Sequence, residues 1–216
     1  MIAVAVLCWP LEQPNTPKAV TPPHGSVIRL EMPGLGEGVF GTAVLVDRQR
    51  QPAGVTLYYL TAERLFAQVL GKAHADTVDA SGIGVLRIFA DASDAPPQPM
   101  QFEAPLEGDV FVIAGVDHAD HLVTMEQRIS SVSARAATGD RGLPDLVGCI
   151  GAPAIRDGQV FGIVMECDAI HPPVIELLGV ARDFLAGKIP SLRGEPGSLS
   201  TTGEETAPPS MVLRDN

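Results

Sequence analysis

Short apolar runs rich in β-branched and aromatic residues, each ended by glycine, proline or a polar turn, recur along most of the sequence. Runs of this length and composition are typical of β-strands. The 22 glycines and 19 prolines among 216 residues also suit many strands joined by turns. The sequence therefore predicts an all-β fold, with strands within SVIRLEM (26–32), VFGTAVLVD (39–47), VTLYYLT (55–61), GVLRIFA (84–90), GDVFVIAGV (108–116), LVTMEQRISSVSARA (122–136), QVFGIVM (159–165) and PVIELL (173–178).

Two segments break the strand pattern with a helical period. Apolar residues recur at i, i+3, i+4 and i+7 in AERLFAQVLG (62–71), and VARDFLAGK (180–188) is a short amphipathic run. A proline-rich stretch, DASDAPPQPMQFEAP, separates two strand-rich halves. We therefore expect an extended lead-in at 1–24, a β-barrel at 25–90, a linker at 91–105, a second β-barrel with a closing helix at 106–188, and a flexible tail at 189–216.

The chain is acidic, with a formal net charge of −11. Negative charge repels phosphate, so we expect no nucleic-acid partner, and no run is long and apolar enough to predict a membrane helix. The start MIAVAVLCWP lacks the basic residues of a signal peptide, which predicts a cytoplasmic protein, or a secreted or periplasmic one if the true start lies elsewhere. The three cysteines, Cys8, Cys149 and Cys167, form no disulfide framework and are expected to be reduced and buried.

Several motifs, in order, resemble the trypsin/chymotrypsin-like serine proteases. VFGTAVLVD followed by LTAERL is similar to the first barrel of that family, and SGIGVLRI is similar to its aspartate-bearing strand. GDVFVIAGVDH with VTMEQRISSVSA resembles the bacterial Do-like branch. GCIGAPAIRDGQVFGIV resembles the turn and strand around the family's nucleophile, and we expect the glycines of this turn to lie where positive φ is needed. The resemblance covers residues 25 to 188 and implies two antiparallel β-barrels, each of the six-stranded type.

The same resemblance implies that the catalytic triad is missing. The histidine position is occupied by Arg64, the aspartate position by Gly82 and the nucleophile position by Ile150. The family's mechanism needs a hydroxyl, an imidazole base and a carboxylate that orients it. A guanidinium stays protonated and an isoleucine has no heteroatom, so we expect no catalytic residue and a vestigial oxyanion hole at the amides of Gly148 and Ile150.

Three further groups of residues are weighed as sites. Cys149, beside the nucleophile position, is interpreted as a buried structural residue. The DHADH run offers Asp117, His118, Asp120 and His121 as ligands for a divalent metal, but a solvated turn is favoured, and no metal or cofactor is expected. In active relatives the segment at 163–166 pairs with substrate, so the resemblance indicates a peptide-binding edge strand at Ile163, Val164, Met165 and Glu166.

The favoured function is a pseudoprotease that binds a peptide or protein ligand in the cleft between the barrels, as a binding or regulatory module. One alternative is a serine-type hydrolase with an unrecognised catalytic arrangement, because fold alone does not decide function. The other alternative is a purely structural subunit of a complex.

Overall fold

Two antiparallel β-sheets form the frame of the chain in a computed structural model, which describes residues 22, 25–31, 40–63, 65, 73–78, 81–117, 119, 121–144, 146 and 148–193. The first sheet has five strands in the order β1-β2-β3-β5-β4. Its strands are β1 (Val27–Glu31), β2 (Phe40–Gln51), β3 (Gly54–Ala62), β4 (Ala73–Val78) and β5 (Ile83–Ala90). The expected all-β class is confirmed by this sheet and its partner.

The second sheet has seven strands in the order β7-β6-β10-β11-β12-β9-β8. Its strands are β6 (Val110–Val116), β7 (Leu122–Arg128), β8 (Ser131–Val132), β9 (Ala136–Thr138), β10 (Pro153–Arg156), β11 (Gln159–Glu166) and β12 (Val174–Leu177). Two antiparallel sheets, with five and seven strands in the described residues, thus agree with the fold class that the sequence predicted. The break between β7 and β8 lies at Ile129 and Ser130, where the alternation of the sequence loses its phase.

The core explains why the central strands read as continuous apolar runs. One cluster of buried side chains lies between the sheets and includes Leu60 and Ile83 of the first sheet with Ala114 and Ile163 of the second. A second cluster, around Phe111 and Phe161, packs within the second sheet, and a third packs on the other side of the first sheet. Strands buried on both faces have no polar side to alternate with.

The C-terminal part of the described chain packs against both sheets. Leu178–Ala181 is a 3₁₀ turn, followed by α1 (Arg182–Lys188) and α2 (Pro190–Arg193). Ile189, which the sequence assigned to the tail, is fully buried in the cluster between the sheets. The amide of Ser191 donates to the buried carboxylate of Asp47 over 2.9 Å. None of the helices within 148–193 or elsewhere in the described ranges is long and apolar enough to cross a membrane.

The predicted helix at 62–71 is wrong at its start, because Ala62 is the last residue of β3. Glu63 and Leu65 have 3₁₀ geometry, and residues 66–71 lie outside the described part of the chain. Strand β4 was not predicted, because AHADTV has little β-propensity and forms a strand by pairing with β5. Strand β10 begins at Pro153 and is only four residues long, which reads as a turn in the sequence.

Candidate functional site

The turn at 148–151 has a backbone that only glycine satisfies at two positions. Gly148 has φ 47° and Gly151 has φ 78°. A Cβ atom on Gly148 would lie 2.3 Å from the ring of Phe40, and one on Gly151 would lie 2.2 Å from the carbonyl oxygen of Thr42. The positive φ that the sequence predicted for these glycines is present, and close packing against β2 makes the requirement stricter.

Thr42 of β2 fixes this turn from the side of the first sheet. Its amide donates to the carbonyl oxygen of Ile150 over 2.9 Å, and its hydroxyl donates to the carbonyl oxygen of Gly148 over 2.6 Å. The hydroxyl of Thr61 in turn donates to the carbonyl oxygen of Thr42 over 2.6 Å. Thr42 and Thr61 are fully buried positioning residues that sequence reasoning missed. The only signal was a threonine inside each of two apolar runs.

Strand β11 fixes the turn from the side of the second sheet. The amide of Gly151 donates to the carbonyl oxygen of Val164 over 2.8 Å, and the amide of Val164 donates to the carbonyl oxygen of Ala152 over 2.9 Å. These bonds occupy the side of β11 that faces the turn.

The predicted edge strand at 163–166 is therefore corrected. Ile163 pairs with Pro153 of β10 and with Glu176 of β12, and Val164 pairs with Ile175 while bonding the turn. Both residues lie in the middle of the sheet and offer no free edge. Met165 sits at a register shift and Glu166 pairs with Val174, so only the end of β11 reaches the border of the site.

The residues around the three predicted triad positions lie close together. Ile150 is half-buried and packs against apolar clusters of both sheets. The carbonyl oxygen of Gly82 accepts a hydrogen bond from the amide of Glu63 over 2.7 Å. A Cβ atom placed on Gly151 would lie 2.8 Å from the side chain of Leu65. Arg64 lies outside the described residues. Its chain neighbour Glu63 bonds Gly82, and its other neighbour Leu65 lies against the turn that bears Ile150.

Gly82 itself has a backbone in the left-handed region. Its φ is 81°, a conformation that side chains rarely adopt. A Cβ there would lie 3.6 Å from the terminal methyl of Met165, on the other sheet. Gly82 therefore faces the end of β11 across the junction of the two sheets.

A cavity of about 320 Å³ opens beside Ile150, and we call it the Ile150 pocket. Most of its wall is apolar; the lining residues are Phe40, Leu143, Pro144, Leu146, Gly148, Cys149, Ile150, Cys167, Asp168 and Ala169. Phe40 comes from the first sheet, and the rest come from the loops of the second. Such a volume is at the lower end of the roughly 300–1,000 Å³ typical of ligand sites.

The expectation of reduced thiols at Cys149 and Cys167 is wrong, because the two form a disulfide with their Cα atoms 6.3 Å apart. The bond joins the turn at 148–151 to the loop after β11, and both cysteines line the Ile150 pocket. Cys149 is buried, as expected, and its role is structural. Disulfides persist mainly in oxidising compartments.

Asp168 organises the loop at the rim of the pocket. Its carboxylate accepts hydrogen bonds from the amides of Ile170 and His171, and its other oxygen lies 2.6 Å from Nδ1 of His171. The amide of His171, then its ring and the amide of Ile170, lower the pKa of Asp168 to about 2. The carboxylate is thus ionised and already engaged within its own loop.

The DHADH run forms a self-contained turn between β6 and β7. Asp117 accepts hydrogen bonds from the amides of Ala119 and His121, and the bond from His121 is the largest cause of a lowered pKa at Asp117. His118 and Asp120 lie outside the described residues. Among the residues that are described, no group of three or more metal-ligating side chains occurs.

The described histidine rings, those of His121 and His171, are exposed and contact only the carboxylates of Asp117 and Asp168. In the described ranges, no hydroxyl or thiol is hydrogen-bonded to either ring. Neither pair therefore forms the hydroxyl–imidazole–carboxylate chain that activates a nucleophile.

The amides of the predicted oxyanion hole have no acceptor. Across the described part of the chain, neither the N–H of Gly148 nor that of Ile150 donates a hydrogen bond, although both carbonyls are bonded to Thr42. Both residues line the pocket. Two donors beside an apolar cavity can receive an oxygen atom of a ligand whose side chain enters that cavity.

No protein-family model matches the sequence, and no curated protein is detectably similar to it. Solved structures with the same architecture are found at low identity. The Rv3671c protease of M. tuberculosis, in its active form, superposes with a TM-score of 0.57 at 16% identity, covering 84% of this chain and 93% of that one. The serine endoprotease of Yersinia pestis gives 0.56 at 17% identity, covering 75% of this chain but only 62% of that one.

A third similar structure is a scabies mite inactivated protease paralogue, SMIPP-S-I1, with a TM-score of 0.57 at 14% identity, covering 74% of this chain and 92% of that one. At such identities the similarity establishes the fold and nothing finer. The chain has the fold of the trypsin-like serine proteases.

Proposed function

We propose that this chain, which has the fold of the trypsin-like serine proteases, is a pseudoprotease that binds a peptide or protein ligand in the Ile150 pocket and does not hydrolyse it. Its motifs resemble the bacterial Do-like branch, which supports a bacterial member with Arg64, Gly82 and Ile150 in place of the triad. The function is a binding or regulatory one. The name of the scabies mite structure indicates that the fold also occurs in an inactivated protein.

Ile150 is the observation that carries the proposal. It occupies the centre of a turn that is fixed to β2 and β11 by hydrogen bonds, so the backbone geometry of a nucleophile turn is supported without a nucleophile. Losing a catalytic triad costs a factor on the order of 10⁶ in turnover in a well-studied protease. The part of catalysis that survives such a loss comes from the oxyanion hole and from binding.

The pocket wall supports a ligand anchored by an apolar side chain. Leu143 and Leu146 are buried, and Phe40 closes the wall from the first sheet. Among the described residues of the wall the one carboxylate is that of Asp168, which already accepts hydrogen bonds from its own loop. A charged side chain of a ligand would find no free partner among the described residues of this wall, and burying an unpaired charge is unfavourable.

The catalytic half of the proposal is tested with a fluorophosphonate probe and an unstructured protein substrate. We expect no covalent labelling and no cleavage at any serine of the chain. An active trypsin-like protease serves as the positive control. Labelling of one specific serine, lost when that serine is replaced by alanine, would instead favour the hydrolase with an unrecognised arrangement.

The binding half is tested with a labelled panel of unstructured peptides, followed by fluorescence anisotropy. Ala169 lies exposed in the pocket wall, so Ala169→Trp should fill the entrance and abolish binding while leaving the fold intact. Ala119→Trp, on the exposed turn between β6 and β7, is the matched control and should bind as the unchanged protein does.

A further inference from the structure

The turn at 148–151 leaves two amide donors close together in the chain. Gly148 has φ 47°, and such a left-handed residue turns successive N–H groups toward a common side, forming a concavity that favours anions. Within the described ranges the amides of Gly148 and Ile150 donate to no acceptor. The Ile150 amide shares its peptide unit with the carbonyl of Cys149, which accepts a hydrogen bond from the amide of Ala152 over 3.1 Å, so that unit cannot rotate freely to find another partner.

The two residues that bear these amides line the Ile150 pocket. Leu143, Pro144 and Leu146 give that wall its apolar character, and Asp168 is engaged by the amides of Ile170 and His171. A ligand that satisfies both features carries an anionic oxygen next to an apolar group. Hydrogen bonds from amides to an anionic oxygen are about twice as strong as those to a neutral carbonyl.

We infer that the ligand of the Ile150 pocket is the C-terminus of a polypeptide, with its carboxylate on the amides of Gly148 and Ile150 and an apolar last side chain in the cavity. This inference rests on the proposed binding function and names its ligand class. Capture of a terminal carboxylate by backbone amides is a known mode of peptide recognition. No covalent step is involved.

The net charge of −11 sets a condition on this ligand. An acidic chain repels an anionic terminus at long range, so basic residues upstream of the terminus should raise the rate of association. The repulsion is screened by salt, whereas the amide contacts are short-ranged. The probe is therefore a labelled peptide with lysines upstream and a leucine at its end.

The experiment compares three forms of that peptide on the full-length oxidised protein by fluorescence anisotropy. One form ends in leucine with a free carboxylate, the second has the same sequence with a terminal amide, and the third continues beyond the leucine with glycines. We expect the free acid to bind at least about tenfold more tightly than the other two, as two charge-assisted hydrogen bonds would give. Ala169→Trp should abolish this difference and Ala119→Trp should preserve it.

Each other outcome overturns a distinct statement. Equal binding of the three forms would refute the carboxylate contact and leave the peptide-binding function standing. No binding by any form would refute both. A preference for the acid that persists in Ala169→Trp would place the contact away from the Ile150 pocket. Competition by N-acetyl-leucine as effective as that of the peptide would show a small-carboxylate site, and a chain terminus would then be the wrong ligand.

Discussion

The side-chain hydroxyl of Thr42 is buried and donates to the carbonyl oxygen of Gly148 over 2.6 Å. Replacing it in Thr42→Val removes the donor and leaves that carbonyl unsatisfied, which costs about 1–3 kcal/mol. We expect a loss of unfolding free energy of this size in urea, and weaker peptide binding. Thr56→Val, at a position where the hydroxyl only meets an exposed Gln51, is the control and should change stability by less than about 0.5 kcal/mol.

At the rim of the Ile150 pocket, the carboxylate of Asp168 leads to a prediction about how its loop responds to low pH. Its pKa is lowered from 3.8 to about 2, first by the amide of His171, then by the His171 ring and the amide of Ile170. A carboxyl group whose pKa is lowered in the folded state stabilises that state at pH values above its ordinary pKa. This contribution is lost as the pH falls toward the lowered pKa. The amide resonances of Ile170 and His171 should therefore titrate with a midpoint near 2, and Asp168→Asn should abolish the titration. A midpoint near 3.8 would contradict the loop geometry.

Sequence reasoning reached the glycines of the site but not its threonines. Gly148 and Gly151 were expected to need positive φ because they lie in one turn, which is local information. Thr42 bonds a residue 106 positions away, and no local pattern reports such a contact. The disulfide between Cys149 and Cys167 was missed for a related reason, since an odd number of cysteines does not show which two the fold brings together.

Among the elements, the loop after β11 depends on the Cys149–Cys167 disulfide for its attachment to the turn at 148–151. The bond closes a segment with a sequence separation of 18, and for loops near this length the chain-entropy model gives about 3 kcal/mol. We expect the double substitution Cys149→Ser and Cys167→Ser to lower the unfolding free energy by about that amount and to weaken binding in the Ile150 pocket.

A dithiol reductant provides the control for this prediction. It should reproduce the loss in the unchanged protein and have no additional effect on the double variant. Unchanged stability and binding after complete reduction, verified by counting thiols, would show that the loop is held without the bond. Attachments of this loop that remain among the described residues include the hydrogen bond from the amide of Leu143 to the carbonyl oxygen of Asp168 and the packing of Gly142 on Ala169.

Strands that read as long apolar runs were the elements that the sequence predicted best. The run at 84–90 became β5 and the run at 108–116 became β6, because long apolar stretches between turns have few other solutions. Strands β4 and β10 were not predicted, since it is pairing with neighbouring strands, and not their own composition, that makes them strands. The helical period at 62–71 misled at its start because Ala62 pairs with Ile83.

For the whole molecule, the segment at 91–105 is bonded to both sheets and not only a spacer between them. The amide of Gln98 donates to the carbonyl oxygen of Leu45 in the first sheet, and the amide of Gln101 donates to that of Val160 in the second. Ile189 and Leu185 fill the same core from the C-terminal side. The two sheets thus share the cluster of buried side chains that lies between them, which leads to a prediction about how they unfold.

Leu60 of β3 is fully buried in the cluster that joins the sheets. Leu60→Ala should cost about 2–5 kcal/mol, as large-to-small changes in a core do. Because the core is shared, the loss should appear equally in the amide protection of β3 and of β11, measured by hydrogen exchange, with one unfolding transition. Leu106→Ala, at a side chain that is 72% exposed, is the control and should leave protection unchanged. Loss of protection confined to β1–β5, or two transitions in denaturant, would show that the sheets are separate cooperative units and that the site between them is not held by a common core.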